Sequence, residues 1–117
     1  MQELVSRLME QADLNEDQAR RTIAIVIGFL KDAGPRDEVE TLMAQLPGAR
    51  KVESPFDGSF TGPMGAMAAF NALSASGLGM TQMQAATREF VVYAKEQADE
   101  ETVNRVIRSI PGLSQFV

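Results

Sequence analysis

The 117-residue chain has no cysteine, no histidine and no tryptophan. The first two absences exclude a disulfide framework, thiol chemistry, a zinc site of the Cys/His type and any mechanism with a histidine base. Cations are scarce as well: 11 Lys and Arg stand against 16 Asp and Glu, a net charge of −5. Phosphate contacts need a cationic surface, so this balance predicts no nucleic-acid partner. Long apolar runs are also lacking. The most apolar stretch, Ile23-Ala24-Ile25-Val26-Ile27-Gly28-Phe29-Leu30, lies between Arg20, Arg21 and Lys31, Asp32. It is far shorter than the roughly 20 apolar residues of a membrane-spanning helix. The opening Met1-Gln2-Glu3-Leu4-Val5-Ser6-Arg7 has no cationic segment leading into an apolar one. No signal peptide is therefore expected, and the location expected is the cytoplasm.

What remains is an ordinary globular balance, with 44% hydrophobic and 23% charged residues, which predicts a single domain over 1–117. Leu4, Val5, Leu8, Met9 and Ala12 share one face of a first helix. Asn15, with Gln18 three residues on and Glu16 and Asp17 between, is a capping signature for a second helix reaching Ala33. Gly34 is expected as its left-handed terminating residue, and Pro35 stops it. Asp37 is read as a cap-like start for a third helix carrying Val39, Leu42, Met43 and Leu46, ended by Pro47-Gly48. The stretch 47–65 is rich in proline and glycine and predicts a loop, pinned by Phe56 and Phe60. A fourth helix follows from Ala66 and ends at Gly77-Leu78-Gly79. Thr81 with Gln84 reads as the capping box of a fifth helix over 81–98. Asp99-Glu100-Glu101 opens a sixth, and Leu113, Phe116 and Val117 form an apolar tail.

The two halves follow the same order. Leu14-Asn15-x-x-Gln18-Ala19 matches Met80-Thr81-x-x-Gln84-Ala85, 66 residues on, and Val26 matches Val92 at the same spacing. Val39, Met43, Leu46, Pro47 and Gly48 then match Val103, Ile107, Ile110, Pro111 and Gly112, 64 residues on. The expectation is an all-α, compact six-helix bundle built from two pseudo-repeated three-helix units. Unit 1–49 and unit 66–117 are joined by the 47–65 loop, and each is too small to bury its own apolar face alone. The expected core is Leu4, Leu8, Ile23, Val26, Ile27, Leu30, Leu42, Leu46, Phe70, Leu73, Phe90, Val91, Val106 and Ile110, with the second helix central.

A short helix, a capped long helix with Gln18-Ala19 and a short helix ending Leu46-Pro47-Gly48-Ala49 are followed by a Gly/Pro loop. Next comes Ala69-Phe70-x-x-Leu73-x-x-x-Gly77-Leu78-Gly79-Met80. This order resembles the VcgC/VcgE-type bacterial helical domain of unknown function, over most of the chain. The resemblance implies an all-helical fold and brings no catalytic residues.

Chemistry-bearing patterns are few. Asp13-x-Asn15-x-Asp17 imitates the first ligands of a calcium loop, but Gln18 and Ala24 stand where Gly and Glu are required. The acidic groups Asp37, Glu38, Glu40 and Asp99, Glu100, Glu101 suit helix starts. No metal site and no cofactor are expected. Gly58-Ser59-Phe60-Thr61-Gly62-Pro63-Met64-Gly65 has the composition of a phosphate loop without its lysine. Ser59, Ser74 and Ser76 lack an activating base, because Lys31, Lys51 and Lys95 are at the wrong spacing. The chain is therefore expected not to be an enzyme. Two functions suit what is left. The first is a protein-interaction or scaffold module, prompted by the breadth of the second helix's apolar surface and by the tail. It would bind a protein partner or a second copy of the chain. The alternative is a small-molecule or lipid-binding bundle with a pocket under the 53–65 loop, lined by Phe56, Phe60, Met64 and Met67. A greasy pocket favours the second, and the lack of one favours the first.

Overall fold

A computed structural model describes residues 2–52 and 65–110. Among these residues the chain is all-helical, with no strand. The helices are α1 (Gln2–Gln11), α2 (Glu16–Ala33), α3 (Arg36–Gln45), α4 (Gly65–Ala75), α5 (Met80–Gln97) and α6 (Glu100–Ser109), with a 3-10 turn at Ala49–Lys51. None is long and apolar enough to cross a membrane.

Neighbours in sequence are not the main neighbours in space. Helix α1 packs on both α2 and α5, α4 packs on α2, and α3 packs on α6. Among the described residues Leu4, Leu8, Ile25, Ile27, Leu42, Val5 and Val106 are the largest aliphatic side chains removed from solvent. The apolar breadth of α2 is used up inside this arrangement: Ile23, Ile25, Ile27, Gly28, Phe29 and Leu30 are all buried. Of the expected core, Val26, Phe70 and Val91 are only partly buried, and the rest is buried.

The two long helices start in the same way. Asn15 and Gly79 have nearly identical extended backbones (φ −80, ψ 172 and φ −81, ψ 172). Gln18 Oε1 accepts the Asn15 N–H at 3.1 Å while the Gln18 N–H donates to Asn15 Oδ1 at 2.8 Å. Gln82 Oε1 accepts the Gly79 N–H at 2.9 Å. Each glutamine then uses its Nε2 to reach the turn before the other long helix: Gln18 donates to the Ser76 carbonyl (3.2 Å) and Gln82 to the Asp13 carbonyl (3.0 Å). Both turns need a left-handed residue, Asp13 at φ 56 and Gly77 at φ 96. At Gly77 a Cβ would also lie 2.9 Å from Gln18 Nε2. The capping box expected at Thr81 and Gln84 is therefore not the one formed, since the cap lies two residues earlier, at Gly79.

Two other expected ends differ in detail. Gly34 is extended (φ −84, ψ 166), not left-handed. It is required by close approach: a Cβ there would lie 2.6 Å from Val39 Cγ2 and 2.7 Å from the Leu30 carbonyl oxygen. Helix α3 starts at Arg36 after Pro35, which puts Asp37 and Glu38 in the first turn instead of at the cap. There they still complement the helix dipole.

One ion pair ties α1 to α5. Arg7 Nη1 and Nη2 donate to Glu96 Oε2 and Oε1 at 2.8 and 2.6 Å, and the guanidinium lies 5.6 Å from the Tyr93 ring centre. Hydrogen bonding to Arg7, with its charge, holds the Glu96 carboxyl below its ordinary 4.5. A carboxylate depressed in the folded state stabilises above its ordinary value and loses that contribution as pH falls through the depressed one. Glu96→Gln is thus expected to unfold at lower urea than the parent at pH 7. The gap should close as the pH is taken below 4.5; a gap of equal size at pH 3 would rule the pair out as its source.

Candidate functional site

The helices enclose an apolar cavity of about 100 Å³. From α2 come Ile25, Val26, Phe29 and Leu30, and from α4 come Ala69, Phe70 and Leu73. Helix α5 adds Met83, Thr87, Phe90, Val91 and Ala94, with Leu42 of α3 and Val103, Val106 and Ile107 of α6 completing the wall. The α5 positions recur at three- and four-residue steps, so one helical stripe faces the void. From α4 the wall takes the small Ala69 beside the larger Phe70 and Leu73.

The cavity is partly open. Val26, Phe70, Thr87, Val91 and Ile107 are the lining residues that keep partial solvent contact. This accounts for the three expected core residues that are not fully buried: all three line the void.

Chemically the wall is inert. Among the described residues its one polar side chain is Thr87, whose hydroxyl donates to the Met83 carbonyl at 2.8 Å. No acid, base or cation of the described residues lines it. Among the described residues no three acidic side chains cluster as a metal site would need. The calcium-like Asp13-x-Asn15-x-Asp17 is spent on a turn and a helix cap. Ser76 is a helix-end residue, its hydroxyl donating to the Ala72 carbonyl at 3.0 Å. A second hollow, shallow and polar, lies at the start of α2 beside Ala75 and Ser76. There Gln18 donates to the Ser76 carbonyl and Arg20 bonds Glu16 and Gln2.

The binding residues expected from sequence do not coincide with this wall where they can be placed. Met67 is 54% exposed on α4 and does not line the cavity. Phe56, Phe60 and Met64 lie outside the described residues, as does most of the 53–65 loop. Of the other methionines near α5, Met83 lines the cavity and Met80 is exposed. The one sequence signal near the cavity is the small Ala69 of α4, buried between larger residues of the wall. No known protein family, curated protein or solved structure matches this chain.

Proposed function

We propose that the chain is a non-enzymatic binding protein that takes a compact apolar ligand into the cavity between α2, α4 and α5. The observation that carries this reading is a partly open void walled by fifteen apolar side chains and one threonine. Apolar cavities of about 150 Å³ in helical proteins stay dry and admit benzene or xenon. A void of about 100 Å³ that is not sealed suits a ligand of that kind, with any excess length leaving through the open side. The interaction module, the first function expected from sequence, drew on the apolar breadth of α2, which is consumed in the fold, and on the tail Leu113, Phe116 and Val117, which lies outside the described residues. The exposed large hydrophobics Met9, Met67, Met80 and Val92 are scattered over three helices, which does not favour a docking face.

The proposal includes an internal duplication and keeps the VcgC/VcgE-type resemblance. A single spacing of 64 residues supports the duplication better than the two spacings expected from sequence. It relates α2 to α5, both of 18 residues, and α3 to α6, both of 10. It also relates buried Leu14 to Leu78, Val39 to Val103 and Leu46 to Ile110. The reciprocal bonds of Gln18 and Gln82, and the matched packing of α1 on α5 and α4 on α2, suit the same reading.

Toluene serves as the probe. A ligand that binds only the folded state stabilises it by about 2.7 kcal/mol at a hundredfold excess over Kd. The expected result is a thermal midpoint that rises with toluene concentration in that manner. A midpoint that stays flat or falls over the soluble range of toluene contradicts the proposal.

A further inference from the structure

Taking the cavity as the binding site, we infer that its preferred ligand is a neutral, compact alcohol or phenol, recognised through Thr87. Among the described residues the wall has no cation and no side-chain N–H group, and its one hydroxyl has its proton committed to the Met83 carbonyl. A threonine hydroxyl carries one donor and two acceptor lone pairs. With the donor spent, Thr87 offers an incoming group only an acceptor. Helical backbone N–H groups along the wall are likewise occupied by their own helices. A ligand carboxylate, aldehyde or ketone seated against Thr87 would thus meet no donor from the wall while losing part of its hydration, which is costly for any polar group. A ligand hydroxyl, by contrast, can donate to Thr87 Oγ1.

Binding of four ring-matched probes, toluene, phenol, benzaldehyde and benzoate, by calorimetry to the parent protein and to Thr87→Val and Thr87→Ser tests this. Phenol is expected to bind about tenfold more tightly than benzaldehyde, with benzoate weaker still. Thr87→Val should erase the phenol preference, bringing the phenol and benzaldehyde affinities together, because its methyl replaces the hydroxyl at similar volume. Thr87→Ser should retain the preference. The inference is overturned if benzaldehyde or benzoate binds as tightly as phenol, or if the preference survives in Thr87→Val. If toluene binds and the others show no such order, only the hydroxyl recognition fails. If none of the four binds, the reading of the cavity as a site fails and takes the inference with it.

Discussion

Leu8→Ala is expected to lower the unfolding free energy by about 2–5 kcal/mol, toward the upper end of that range. Leu8 has no solvent exposure and sits on the helix that packs against both α2 and α5. Removing its methyl groups forfeits their transfer energy and leaves a void that two long helices, held by the Gln18 and Gln82 bonds, are poorly placed to collapse. Leu73→Ala is the informative comparison. Leu73 lies on α4 and already borders the cavity, so its truncation strips fewer packing contacts and should fall at the lower end of the same range. Urea titrations of both variants, with unchanged slopes, measure the difference. A smaller loss for Leu8→Ala than for Leu73→Ala would mean that the two faces of the bundle are not packed as described.

Ala69→Leu is expected to act in the opposite sense on stability and to remove binding. Ala69 is buried and forms part of the α4 wall. A leucine there extends into empty space instead of into neighbours, and cavity filling commonly adds about 0.5–2 kcal/mol. The same side chain occupies the ligand's volume, so toluene affinity should drop at least about tenfold, the equivalent of 1.4 kcal/mol. Met67→Leu, on the exposed side of the same helix, should leave affinity unchanged. If Ala69→Leu destabilises by several kcal/mol, the space is not there; if it binds toluene normally, the ligand site is elsewhere.

The parts of this fold that could be read from sequence are those fixed by local chemistry. Asn15 and Gln18 bond each other across a single turn, so their pairing follows from spacing alone. The apolar stripe of α1 buries as periodicity requires at Leu4, Val5, Leu8 and Ala12 but not at Met9, which is exposed, and the wide apolar surface of α2 is buried. The start of α5 was less legible, because two glutamines, Gln82 and Gln84, each stand three residues after a possible cap. The choice is made by tertiary structure. Burial of Leu78 and the reach of Gln82 to the Asp13 carbonyl place the helix start after Gly79. Gly34 carries a similar lesson, since its need arises from Val39 and Leu30 passing within 3 Å of the absent Cβ and not from its own dihedral angles. The cavity is the least legible feature. It is a deficit of volume summed over five helices, and each lining residue taken singly looks like ordinary core.

The most direct measurement is a methyl-resolved NMR titration with toluene on protein labelled at its isoleucine, leucine, valine and methionine methyl groups. Saturable shifts are predicted for Val26, Leu30, Val91 and Val106, which line the void, with Leu4 and Val5 of α1 unmoved. Shifts confined to α1, or no saturable shift at any lining methyl, would contradict the account.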